Sequence, residues 1–426
     1  MKLIFLTLAR MEGIESRGIY SDLMRKFRDE GHSVYIVTPS ERKYGKKTQL
    51  LEVDGVHILR VRTLNIQKTN IIEKGLGTLL LEWQYKRAIK KYLKSVNFDL
   101  ITYSTPPITL TNVVKYLKRE NPEAISYLQL KDIFPQNAVD IGMFPEDSFI
   151  HRYFRRKEIQ LYKNSDYIGC MSPANVEFVR KHNSYYPADH VEVAPNSIEL
   201  SHTDNTDITE KDAIRIKYGL PTDKTIFIYG GNLGKPQGID YLIRCLDSNK
   251  AREDCFFLII GSGTEYPKLA KWYEDCECKS RYRKERFHVK VMKGLPKDDY
   301  DRLLRACDVG LIFLDYRFTI PNYPSRLLSY LENKMPVICA TDVNTDIGRI
   351  AEENGYGFWC ESRNVIDFSV LVNKFLSSPE RIRKMGERGY EFLCNNYLVE
   401  HTYHAIMKHL PSKSPDASND ESGQVL

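Results

Sequence analysis

Short apolar runs alternate with amphipathic stretches of helical length along most of the chain. In the first half the runs fall at residues 3–7, 34–37, 57–61, 100–103, 125–130, 167–171 and 191–194. The second half repeats the plan at 226–229, 256–260, 289–292, 309–313 and 337–340, each followed by room for a helix. Runs that are near-continuously apolar belong to strands covered on both faces, the pattern of parallel sheets flanked by helices. Residues 18–30 carry a helical pattern that stops before Gly31, a glycine placed as a C-cap. Residues 196–224 are polar and read as a linker. The expected architecture is therefore α/β, with two Rossmann-like, doubly wound parallel-sheet domains facing each other across a cleft. The N-terminal domain is expected at 1–198 and the C-terminal domain at 199–385. Helices at 386–410 are expected to pack back on the N-terminal domain, and the Ser/Asp/Asn-rich tail 411–426 to be disordered.

Composition narrows the class without naming it. The 426 residues are 42% apolar and 28% charged, the balance of a globular protein with room for two or three domains. The opening run is stopped by Arg10 and lacks a small-residue cleavage site, so it reads as a first buried strand rather than a secretion signal. No stretch approaches the roughly 18 apolar residues of a membrane span. Nine cysteines without CxxC pairs, mostly in apolar runs, read as reduced core thiols and give no metal site. A cytoplasmic location follows from these readings.

Four segments carry chemistry, and all fall at the exits of second-half strands, where open α/β sheets bind ligands. The first is Gly230-Gly231-Asn232-Leu233-Gly234-Lys235-Pro236-Gln237-Gly238, a glycine-rich turn between strand and helix that lets backbone amides approach an anion. The GxxxxGK[ST] order of a Walker loop is absent. The second is Pro321-Asn322-Tyr323-Pro324-Ser325-Arg326-Leu327-Leu328-Ser329. Pro324 suits a first helical turn, leaving the amides of 325–327 unpaired. Arg326 beside that positive helix end is unfavourable unless an anion satisfies both. The third and fourth are Gly261-Ser262-Gly263 and Lys293-Gly294-Leu295-Pro296.

Taken in order, GGNLGKxQG, LIIGSG, KGLP and PSRLLSYLENKMPVI resemble the nucleotide-sugar half of GT-B glycosyltransferases of the retaining family 4, and are similar to transferases of bacterial capsule and O-antigen assembly. Glu12-Gly13-Ile14-Glu15-Ser16-Arg17-Gly18, Asp132-Ile133-Phe134-Pro135-Gln136-Asn137 and Ala194-Pro195-Asn196-Ser197 extend the resemblance to about residues 1–410. It implies a GT-B fold and a donor diphosphate held by Lys235, Arg326 and the backbone at Ser325–Leu327. It also implies donor contacts at Gly231, Asn232, Gly234 and Ser329, and a base near Gly261, Gly263 and Leu295. Gly13 and Arg17 would face the transferred sugar and acceptor. Asp132 holds the position where relatives place an acidic or histidine residue near the reacting carbon, with Asp132, Lys235 and Arg326 the implied catalytic set; orienting the sugar or simply capping a turn are equal alternatives for Asp132. Many members carry two glutamates eight residues apart around the PSR segment; Pro321 and Ser329 stand there instead. No metal or other cofactor is implied, and no DxD-like motif stands out to supply one.

Charge matters by its placement, not by its net value of +6. Lys86, Arg87, Lys90, Lys91 and Lys94 fall within roughly 140° of helical arc, with Ala88, Ile89, Tyr92 and Leu93 opposite. Leu76, Leu79, Leu80 and Trp83 add apolar bulk upstream, so the segment reads as a membrane-surface element or as an ordinary helix with a solvated basic side. Arg152, Arg155, Arg156 and Lys157 form a second basic group in the same half. The expected partners are a nucleotide-sugar, a UDP-sugar first; a lipid-linked saccharide or polyprenyl-diphosphate acceptor; and the anionic inner face of the cell membrane, to which the protein would bind peripherally. No nucleic-acid motif is present. The rival readings are a nucleotide-sugar epimerase, a sugar phosphorylase of the same shape, and a non-catalytic donor-binding subunit. A dinucleotide-dependent oxidoreductase is disfavoured by EGIESRG after the first strand, where GxGxxG would be needed.

Overall fold

The computed structural model describes residues 1–66, 71–201 and 208–411. Fourteen strands among them form two sheets. In the first half these are β1 (Lys2–Leu6), β2 (Ser33–Glu41), β3 (Gln49–Val53), β4 (Val56–Thr63), β5 (Leu100–Ser104), β6 (Ile125–Leu130), β7 (Tyr167–Cys170) and β8 (Val191–Val193). In the second half they are β9 (Thr225–Asn232), β10 (Cys255–Ser262), β11 (Val289–Lys293), β12 (Val309–Phe313), β13 (Val337–Thr341) and β14 (Gly357–Glu361). The orders are β3-β4-β2-β1-β5-β6-β7-β8 and β11-β10-β9-β12-β13-β14. Every pairing is parallel except β3 with β4.

The twelve apolar runs all become strands; the central ones are buried on both faces, while the edge strands β8 and β11 are partly exposed. The opening run is β1, at the centre of its sheet. Two strands escape the pattern reading. β3 alternates only weakly, and its signal was the turn: Asp54 and Gly55 both have positive φ, 54° and 73°, the two-residue geometry that closes a hairpin. β14 (Gly-Phe-Trp-Cys-Glu) is a short edge strand, paired only with β13.

The helix Ile19–Asp29 and its cap Gly31 (φ 77°) match expectation. All nine cysteines are free, and most are buried. The C-terminal helices do not move as one block. Pro379–Asn396 packs on the C-terminal domain against helix Arg326–Glu332, while Val399–Met407 packs on Ile19–Asp29 of the N-terminal domain. The return crossing therefore lies at Tyr397, where Ile198 and Leu398 bridge the outgoing and returning strands of chain. The expected disordered tail lies outside the described residues from 412 onward, as does 202–207 of the linker.

Candidate functional site

A cavity of about 810 Å³ opens between the two sheets at the carboxyl ends of their strands. One wall comes from the exits of β9, β10, β11 and β12; the other from the exits of β5 and β6 and the start of helix Ile19–Asp29.

On the C-terminal wall Gly231, Asn232, Gly261, Leu295, Ser325, Arg326 and Ser329 line the cavity, as the sequence suggests. Gly231, at φ 129°, lies flat under the guanidinium, and a side chain there would meet Arg326 at 3.6 Å. From the other side the guanidinium stacks on Tyr229, 4.2 Å from the ring centroid. Its Nη1 is enclosed with no protein hydrogen-bond partner, and no carboxylate pairs with it among the described residues. A buried guanidinium left without an anion is costly, so its placement makes sense with an anionic ligand present.

Several expected residues stand elsewhere. Lys235 is exposed in the turn Lys235–Gln237 and does not line the cavity; Gln237 does. Gln237 Oε1 accepts from Asn232 Nδ2 and from the Gly234 amide, both at 3.1 Å, so Gly234 supports the turn from behind. Gly263 packs against the Leu233 backbone, where any side chain would collide. Leu327 is fully buried in the core, and its amide bonds the Pro324 carbonyl at 3.2 Å, which reduces the three free amides expected to those of Ser325 and Arg326.

Gly13 sits against Asp54 and lines no part of the cavity. Arg17 instead lines a smaller chamber of about 450 Å³, which shares Ser325 and Ser329 with the main one. Its Nη2 donates to Glu332 Oε1 at 2.6 Å, an ion pair across the domain crossing, and to the Glu199 backbone carbonyl at 2.8 Å. Pro321 is buried, with its carbonyl accepting from Asn175 Nδ2 at 2.9 Å.

The N-terminal wall holds groups the sequence reading underused. Asp132 lines the cavity, and its Oδ1 accepts from Asn137 Nδ2 at 2.6 Å. Burial raises its carboxyl to about 6, against the hydrogen bonds from Asn137 and the Ile133 amide. Lys131 beside it is pushed down to about 7 by burial. Tyr20, Asn137 and Asn196 complete this wall. Asn137 and Asn196 stand inside the two N-terminal motifs quoted above; Lys131 had only the hint of a cation directly after a fully buried strand.

The helix Ile71–Tyr92 buries Leu81, Tyr85, Ala88 and Ile89, with Leu93 buried just past its end, and leaves Arg87, Lys90 and Lys91 in solvent, with Lys94 exposed beyond it and Lys86 partly covered. Leu79, Leu80 and Trp83 are exposed at 54%, 43% and 57%, so the upstream apolar patch is a surface feature. The side chain of Leu76 lies outside the described residues. Lys157 reaches Glu82 at 3.4 Å and ties this helix to Phe149–Lys163, whose Phe149 and Ile150 are also exposed, with Arg152 and Arg156. No helix among the described residues is long and apolar enough to cross a membrane.

Comparison with known proteins gives two family matches, Glycosyltransferase Family 4 over residues 20–202 and Glycosyl transferases group 1 over residues 210–392. The chain is 22% identical over 310 residues to the probable glycosyltransferase WbjE of Pseudomonas aeruginosa, covering 72% of this chain and 73% of that one. It is 25% identical over 168 residues to the putative colanic acid biosynthesis glycosyl transferase WcaI of Escherichia coli K12, 39% of this chain and 38% of that one. Among solved structures, Alr3699/HepE of Anabaena in complex with UDP superposes with a TM-score of 0.65 at 14% identity, over 96% of this chain and 99% of that one.

Proposed function

Because the chain belongs to the family 4 glycosyltransferases with the GT-B fold, we propose that it transfers a hexosyl or N-acetylhexosaminyl group from a UDP-sugar to a lipid-linked saccharide in the assembly of a bacterial surface polysaccharide, capsule or O-antigen. The similarity to WcaI, a putative colanic acid biosynthesis transferase, and to HepE, which binds UDP, supports the pathway and the donor. The observation that carries the reading is the enclosed, unpaired Arg326 guanidinium between Gly231 and Tyr229.

Breaking the anomeric C–O bond leaves negative charge on the diphosphate and positive charge on the sugar ring. Arg326 and the free amides of Ser325 and Arg326 stabilise the first in a partly dry cleft. Asp132, on the opposite wall, is available to the second. With retention, the acceptor hydroxyl attacks the face the phosphate leaves, and a phosphate oxygen takes its proton. Metal independence is part of the proposal, and an unchanged rate in chelator checks it. The basic and apolar flank of helices Ile71–Tyr92 and Phe149–Lys163 is read as the side that meets an anionic membrane and the lipid acceptor, so the protein works peripherally on the cytoplasmic face.

Calorimetry with UDP tests the site. Arg326→Ala should weaken binding on the order of 10- to 100-fold, the value of a charge-assisted contact, with the circular dichroism spectrum unchanged. An unaltered UDP affinity would sink the assignment.

A further inference from the structure

The proposed donor reading uses Arg326 on one wall and leaves a second cation on the other without a task. Lys131 follows β6 and lines the cleft. Its Nζ reaches only the carbonyls of Ala194 and Pro195, each at 3.4 Å, the weak end of hydrogen bonding. Asp132, next in sequence, does not pair with it; that carboxylate is bonded to Asn137. No ion pair involves Lys131 among the described residues. A lysine is a poor choice for holding two carbonyls at long range, because the charge loses water and gains no counter-ion.

Two amide oxygens on the same wall are also unmatched. Asn137 Oδ1 and Asn196 Oδ1 are both enclosed with no donor, while the amide nitrogens of the two residues are engaged, by Asp132 and by the Met171 sulfur at 3.4 Å. An enclosed carbonyl oxygen that gives up its water and receives no donor is destabilising. The wall thus lacks one negative group for an ammonium and two hydroxyl donors for two carbonyl oxygens. The donor diphosphate cannot supply these, since it offers no hydroxyl and is claimed by the opposite wall.

We propose that Lys131, Asn137 and Asn196 form a specificity subsite for a hydroxylated sugar carrying an anionic substituent, either a carboxylate on the donor sugar or a phosphate on the acceptor side. The inference rests on the donor-site reading above, and its test separates the two. Full-length protein is titrated with UDP, UDP-glucose and UDP-glucuronate. In a second arm, UDP-saturated protein is titrated with glucose and glucose 1-phosphate. Wild type should bind the charged probe of one arm at least about tenfold more tightly than its neutral counterpart. Lys131→Met, unbranched, uncharged and one atom shorter, should remove that preference while leaving UDP and UDP-glucose within about twofold of wild type. Lys131→Arg should keep it. Equal binding of charged and neutral probes in both arms overturns the subsite, as does a Lys131→Met protein that loses UDP-glucose as severely as the charged probe. Failure of wild type to bind UDP at all removes the donor-site reading, and this inference with it.

Discussion

Asp132 shows how one carboxyl can cost stability and serve a reaction. Its folded value of about 6 lies above the ordinary range of an aspartate carboxyl, with burial the first cause. The folded state therefore holds this proton more tightly than the unfolded state does. Stability from this group is complete below about pH 4, is lost as pH rises through about 6, and stays lost above it. Asp132→Asn should then melt higher than wild type at pH 7.5 by an amount on the order of 1–3 kcal/mol, and show no gain at pH 3.5. Activity should run the other way. If the ionised carboxylate faces the developing positive charge, wild-type kcat rises with pH through about 6, and the Asn variant loses both the rise and most of the rate. Paired melting and pH–rate curves check the two signs; a variant that neither gains stability at pH 7.5 nor loses rate would show that the buried carboxyl is only a turn cap.

At the scale of elements, what was legible in the sequence was what a single helix or strand decides for itself. The stripe Leu81, Tyr85, Ala88, Ile89, Tyr92 and Leu93 follows from the 3.6-residue period; all are buried except Tyr92, which is half-buried. The strand exits carrying Gly231, Gly261 and Arg326 were legible because glycine and proline punctuate them. Contacts between elements were not. Nothing local reveals that Lys157 reaches Glu82 on the other basic helix, that Arg17 finds Glu332 in the other domain, or that Gln237 rather than Lys235 turns inward from a three-residue helical turn. The amphipathic helix gives its own prediction. Changing Lys86, Lys90, Lys91 and Lys94 to Gln removes about 1 kcal/mol of attraction each at an anionic surface. Flotation with phosphatidylserine-containing vesicles should fall on the order of 100-fold or more, while UDP affinity is unchanged. Adding Trp83→Ser should lower the residual binding that persists in high salt. Flotation that ignores all five changes would leave this helix with a purely structural role.

For the molecule as a whole, the donor wall and the N-terminal domain are joined by the segment 314–323. Leu314 and Phe318 line the cavity, yet with Ile320 they are buried in one apolar cluster with Ile133 and Ile141 of the other domain. The Thr319 amide and hydroxyl donate to Asp140 at 2.8 and 2.9 Å, and Pro321 is held by Asn175. This explains physically why proline is tolerated where relatives place a glutamate: the position faces the domain contact, not the cavity. It also makes the geometry described here a closed one, since separating the domains would expose Phe318 and Ile320 to water, at roughly 1.5–3 kcal/mol per side chain. The polar part of the clasp is the part that can be removed without harming either core. Asp140→Ala with Thr319→Val deletes hydrogen bonds worth about 0.5–1.5 kcal/mol each, enough to move a two-state equilibrium between closed and open roughly tenfold. Small-angle scattering should then show a larger radius of gyration for the double variant without ligand, and recovery of the wild-type value with saturating UDP-glucose, whose diphosphate and sugar would meet opposite walls. Donor KM should rise by about the same tenfold while kcat at saturation is nearly retained, because the deleted groups touch neither diphosphate nor sugar. A radius of gyration equal to wild type, combined with an unchanged KM, would mean that the apolar contacts of Phe318 and Ile320 alone fix the two domains.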